Sequence, residues 1–129
     1  KDIYKNLVLK KKKTISKKKF KVSIIDVPGV YEIPIALRKN IKKYDGFIAL
    51  GCVIKGQTPH FDLICSSTFN AILNISINFN KPIGNGIITA YNMNQARQRC
   101  KISQKSKSNK GSEAANAVMS IFKNGPKKI

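Results

Sequence analysis

The chain has 129 residues, 42% of them hydrophobic, which is enough for one domain with a single core and too few for two. No run reaches the roughly 20 apolar residues that a membrane helix needs, and the lysine-rich start lacks the apolar centre of a signal peptide, so a cytoplasmic protein is expected. The net charge of +19 raises nucleic acid as a partner, but the excess is nearly all Lys rather than Arg and the runs Lys10–Lys13 and Lys17–Lys19 hold no aromatic residue. No nucleic-acid partner is therefore expected.

In chain order, Asp2 can cap a short helix whose apolar positions are Ile3, Leu7 and Val8, and this helix runs into the lysine block. Phe20–Ile25 alternates as a strand does. Pro28-Gly29 marks a turn, and Ile33, Ala36, Leu37 and Ile41 predict a helix over Ile33–Lys43. Gly46–Ile54 is almost wholly apolar and reads as a strand covered on both faces. A helix from about Phe61 to Asn78, a strand Gly86–Ala90 and a helix Ser112–Phe122 follow, and Lys123-Asn124-Gly125-Pro126 ends the last. Strands alternating with helices predict an α/β domain, a parallel sheet with right-handed crossovers. Three strands are fewer than such a sheet usually has, so a further strand is expected upstream of Lys1. The unit is read as one domain over residues 1–129, incomplete at its amino terminus.

Chemistry points to the loop after the Gly46–Ile54 strand. Lys55-Gly56-Gln57-Thr58-Pro59 leaves the carboxyl end of that strand, where open parallel sheets bind ligands, and it leads to His60, the only histidine. An imidazole there can move protons near neutral pH, and the adjoining amides and hydroxyl can meet an anion. A surface histidine in a turn is the ordinary alternative. Cys52, Cys65 and Cys100 show neither CxxC nor Cys/His metal spacing, so no disulfide framework and no metal site are expected. Cys52 is close enough to the His60 loop to line a pocket.

Four blocks, VPGVYEIPIA (Val27–Ala36), ALGCVIKGQTPHFD (Ala49–Asp62), PIGNGIIT (Pro82–Thr89) and NKGSEAA (Asn109–Ala115), resemble the 6,7-dimethyl-8-ribityllumazine synthase family in order and approximate spacing. The resemblance implies a three-layer, flavodoxin-like parallel sheet flanked by helices, whose first, central strand would precede Lys1. It implies a transferase of riboflavin biosynthesis that joins 5-amino-6-ribitylaminouracil to 3,4-dihydroxy-2-butanone 4-phosphate, releasing phosphate and water, with no cofactor. It also implies a cyclic pentamer or a shell of pentamers whose sites lie between neighbouring subunits.

Residue roles follow from the same resemblance. His60 becomes the proton carrier. The Gln57-Thr58 backbone and Arg99 become holders of the leaving phosphate, Arg99 because a guanidinium can grip two oxygens at once. Val30, Tyr31 and Glu32 would bind the ribityl chain and pyrimidine edge; Glu32 has an ordinary alternative as a first-turn carboxylate beside a helix dipole, worth about 0.3–1 kcal/mol. Cys52, Val53 and Ile54 would pack on the heterocycle, and Asn85 stands where many members place an aromatic residue beside the pyrimidine. Lys110 and Glu113 would reach towards the phosphate and the histidine. Two rivals are a non-catalytic flavin-binding or shell-forming homologue and a basic RNA-binding protein.

Overall fold

Two apolar runs on either side of a long helix lie side by side. In a computed structural model, which describes residues 20–101 and 109–123, β1 (Phe47–Ile54) and β2 (Ile83–Ala90) are parallel and in unbroken register from Phe47 opposite Ile83 to Ile54 opposite Ala90. A 3-10 turn (Val30–Glu32) and α1 (Ile33–Lys39) precede them, α2 (His60–Phe79) joins them, and α3 (Met93–Arg99) and α4 (Lys110–Lys123) follow. Parallel neighbours cannot be joined by a tight turn, and the 20 residues of α2 supply the crossover.

The period of two in a strand sorts the core into layers. Odd-numbered Ala49 and Ile87 pack with Ile33 and Leu37 of α1 and Ile72 of α2. Even-numbered Ile88 and Ala90 pack with Ala96 of α3 and with Cys100, while Ile48 meets Ala115 and Met119 of α4. The result is a three-layer α/β fold, a parallel sheet between helices, compatible with the flavodoxin-like architecture. Gly84 sets the spacing of one layer, since a Cβ there would press into the carbonyl oxygen of Ala114 and come within 3.0 Å of Val118 Cγ2. Phe122 lies against Gly46 at the start of β1, so α4 runs back along the sheet and its first turn sits towards the carboxyl ends of the strands.

The start of the sheet is tied by polar contacts. Asn80 ends α2 in the left-handed region at φ 53°, its N–H meeting the Ser76 and Ile77 carbonyls. Ser76 Oγ donates to the Lys81 carbonyl at 2.7 Å, and Lys81 Nζ donates to the Tyr44 carbonyl at 3.1 Å. Phe47 N–H then meets the Pro82 carbonyl at 3.0 Å, the first rung of the ladder.

Several expectations need correction. Phe20–Ile25 is not a strand: none of its residues joins a ladder, and the sheet among the described residues pairs β1 with β2 alone. The helix from Ile33 stops at Lys39 rather than Lys43, where the Asn40 side chain donates to the Ala36 carbonyl at 2.8 Å and competes with the next turn. β2 starts at Ile83, three residues before the expected Gly86. α3 was not expected at all. The helix proposed after Asp2 and any strand upstream of it lie outside the described residues. No helix among those described is long and apolar enough to cross a membrane.

Candidate functional site

The carboxyl edge of the sheet gathers most of the residues singled out above. Lys55 N–H donates to the Ala90 carbonyl at 2.9 Å, the last rung between the strands. Past it the chain turns through exposed Gln57 and Thr58, and His60 becomes the first residue of α2, its N–H donating to Thr58 Oγ1 at 3.4 Å. Pro59 at the cap position suits this entry, since its fixed φ of −70° prepares the helix. His60 is exposed, and nothing among the described residues hydrogen-bonds its imidazole, so both ring nitrogens can serve a bound molecule.

The 3-10 turn covers the same edge. Val30 packs so closely on Gly51 that a Cβ there would stand 2.8 Å from Val30 Cγ2, which is why this strand carries a glycine just before Cys52. Tyr31 is exposed, and Glu32 folds over Gly29 with its N–H on the Gly29 carbonyl at 3.2 Å. Val53 shares the α1/α2 face with this turn. Cys52 and Ile54, being even-numbered, point to the opposite face and pack around Ile88 and Cys100. Burial, and then the neighbouring Cys100, push the Cys52 thiol up, so it stays protonated near neutral pH. Cys52, Cys65 and Cys100 are thiols, none joined in a disulfide.

A second group stands on the α3/α4 face. Glu113 Oε2 lies 3.6 Å from Arg99 Nη2 and 3.8 Å from Lys110 Nζ, so one carboxylate holds two cations at the first turn of α4. Half-exposed pairs of this kind add little stability, about 0–1 kcal/mol. Their effect is positional: two cations and a helix N-terminus give a spot that attracts anions. Asn109 was not foreseen and organises this end. It is buried, its Oδ1 accepts from Ser112 N–H at 3.0 Å, and its Nδ2 donates to the Lys101 carbonyl at 3.1 Å. Also unforeseen is the group at the mouth of the loop, where Lys55 Nζ stands 5.1 Å from the Tyr91 ring centre and Phe61 is 6.3 Å from it.

The structure thus places Val30–Glu32 and Val53 on one face of the sheet, with the His60 loop leaving the carboxyl end of β1, and Arg99, Lys110 and Glu113 together on the other face. No hydrogen bond or ion pair among the described residues joins the two groups. Asn85 belongs to neither: it sits in mid-β2 opposite Ala49, about 17 Å of strand short of the edge, and its Oδ1 accepts from Ile87 N–H at 3.0 Å.

A family model for 6,7-dimethyl-8-ribityllumazine synthase matches residues 1–124. The chain belongs to that family. Relatives bearing the same name come from Bartonella henselae, 41% identical over 113 residues, Methylorubrum populi, 40% over 106, and Campylobacter jejuni, 40% over 103. The matches take in 84%, 77% and 78% of this chain and 71%, 61% and 65% of the respective family members. The chain therefore spans roughly two thirds of the length of these family members.

Proposed function

We propose that the protein is a lumazine synthase, condensing 5-amino-6-ribitylaminouracil with 3,4-dihydroxy-2-butanone 4-phosphate to 6,7-dimethyl-8-ribityllumazine. The observation that carries the reading is the position of His60, at the start of the helix that leaves the carboxyl end of β1 in a parallel sheet, in a chain of this family. Imine formation, loss of phosphate and ring closure each move a proton, and the free imidazole of His60 takes and returns it. Glu32 and the backbone of Val30-Tyr31 receive the ribityl hydroxyls, while Val53 meets the heterocycle. Arg99 and Lys110, with the Gln57-Thr58 amides, receive the phosphate.

The two groups face opposite sides of the sheet edge, which suits a site closed by a neighbouring copy: one subunit brings His60 and Glu32, the next Arg99 and Lys110. A cyclic pentamer, alone or in a shell, meets that need by repeating one head-to-tail contact. The test is formation of the fluorescent lumazine by the purified full-length protein. His60→Ala should lower turnover by about 10- to 10⁴-fold, the span for losing an acid–base group. A variant turning over at the parent rate removes His60 from the mechanism, and an inactive parent removes the enzymatic reading.

A further inference from the structure

Tyr91 stands where the two strands end. Ile54 pairs with Ala90, so the next residues, Lys55 and Tyr91, leave neighbouring strands side by side, where the chains run about 4.8 Å apart. Lys55 Nζ lies over the Tyr91 ring, 5.1 Å from its centre. Phe61 reaches the same ring from the first turn of α2, with centroids 6.3 Å apart and the planes tilted by 36°. Both contacts have the geometry of attraction, a cation over an aromatic face and two rings at an angle.

The base that carries this ring is fixed. Ala90, just before it, accepts from Lys55 N–H at 2.9 Å, and Tyr91 N–H donates to Gln95 Oε1 at 2.9 Å. Gln95 is held in turn, its own N–H on Asn92 Oδ1 at 2.9 Å in the cap of α3. The loop after β1 has no such support. Gly56, Gln57, Thr58 and Pro59 are all exposed, and a Cβ at Gly56 would meet nothing within 4 Å. Among the described residues the loop's hydrogen bonds go only to the helix it enters, from His60 N–H to Thr58 Oγ1 at 3.4 Å and from Leu63 N–H to the Pro59 carbonyl at 3.2 Å. Lys55 and Phe61 are the residues on either side of Gly56–His60, so a single ring grips both ends of the segment that carries the imidazole. Tyr91 keeps 66% of its surface exposed and adds little to core packing.

We propose that Tyr91 is a positioning residue for His60: its ring clasps the loop through Lys55 and Phe61 and thereby fixes where the imidazole stands. The proposal rests on the reading of His60 as the proton carrier. A proton carrier must come within about 2.6–3.2 Å of the atom it serves, and a displacement of about 1 Å can cost 10²-fold in rate. Holding the loop raises the share of complexes in reacting geometry, while the ring itself touches no reacting atom.

The full-length protein is assayed as parent, Tyr91→Phe and Tyr91→Ala, each with His60 in place and with His60→Ala. Tyr91→Phe keeps the ring and should hold kcat within about twofold of the parent. Tyr91→Ala should lower kcat by about three- to thirtyfold while KM for each substrate moves by less than about threefold. In the His60→Ala background Tyr91→Ala should cost nothing further, because a clasp with no imidazole to place has no rate to lose. Tm should stay within about 2 °C of the parent, as for other exposed positions. A second readout needs no turnover. Trypsin cuts after lysine, and fragment masses should show the Lys55–Gly56 bond cut about threefold or more faster in Tyr91→Ala but at the parent rate in Tyr91→Phe. Equal kcat for Tyr91→Ala and the parent would overturn the proposal, as would an equal loss in the His60→Ala background, a loss that Tyr91→Phe shares, or unchanged cleavage at Lys55. An inactive parent would overturn the enzymatic reading and the proposal with it, and is told apart from failure of the clasp alone because cleavage at Lys55 still responds to Tyr91→Ala.

Discussion

Substituting Gly84 by Ala adds one methyl group at the tightest contact between sheet and helix. The new Cβ would press into the Ala114 carbonyl and stand 3.0 Å from Val118 Cγ2, where carbon atoms prefer about 3.5–4.0 Å. The carbonyl belongs to the backbone of α4 and cannot rotate aside, so the helix itself must retreat by about 0.5–1 Å. A gap of that size forfeits a quarter to a half of the attraction at each contact it opens. Those contacts involve Ala114, Ala115, Val118 and Met119, the buried stripe of α4. Overpacking of this sort costs about 1–3 kcal/mol, and the unyielding backbone neighbour places Gly84→Ala near 2–3. Thermal unfolding followed by circular dichroism should show Tm lower by roughly 8–15 °C. Gly56→Ala is the control, since a Cβ at Gly56 meets nothing within 4 Å, and its Tm should stay within about 2 °C of the parent. Equal Tm for Gly84→Ala and the parent would refute the account of how α4 is seated.

Three further outcomes are expected. Asn109→Ala removes the cap of α4 and a buried partner of the Lys101 carbonyl, and chemical denaturation should report a loss of about 2 kcal/mol. Arg99→Ala should weaken the phosphate substrate by roughly 10- to 150-fold while leaving pyrimidine affinity in place, as read by titration calorimetry with each substrate; loss of pyrimidine affinity instead would detach Arg99 from the phosphate. The raised Cys52 thiol favours the protonated folded state below its ordinary range near 8.5. That contribution should fade as pH rises from there through the folded-state value, because the unfolded chain ionises first, and Cys52→Ser should flatten the decline in denaturation curves taken from pH 7 to 10.

The sequence was most legible where one signal acted alone. The uninterrupted apolar run of β1 and the long periodic stretch of α2 left little room for another reading, and both ends fall within a residue of those expected. The expected β2 began at Gly86, three residues late, in a segment where Gly84 and Gly86 dilute the strand pattern. Their reason is the close approach of α4, a tertiary fact whose sequence trace was the small pair Ala114-Ala115. α3 buries only Ala96 and so has no apolar stripe to detect. Its trace was local: Asn92 accepts from Gln95 N–H while the Gln95 side chain accepts from Tyr91 N–H, a capping arrangement readable from Asn-x-x-Gln. Phe20–Ile25 shows the opposite failure, alternating as a strand while pairing with no strand among the described residues. At the candidate site, His60 stood out as a lone imidazole after a strand, whereas grouping Arg99 with Lys110 and Glu113 required the resemblance to a family. Asn109 is polar and loop-bound in sequence, and only the fold reveals that it is buried.

The polar knot at the start of the sheet bears on how the chain finds its alignment. A slip of one residue between β1 and β2 would turn Ile83 and Ile87 towards α4 and carry Gly84 and Gly86 to the other face, leaving one helix with no room and the other with nothing to pack against. Lys81 reaches Tyr44 before either strand begins, and the left-handed turn at Asn80 fixes where β2 can start. Tyr44 and Lys81 thereby act as the two marks of a ruler, deciding the alignment by side-chain reach ahead of the ladder itself. The crossover helix, though it makes no rung, sets the zero from which every rung is counted.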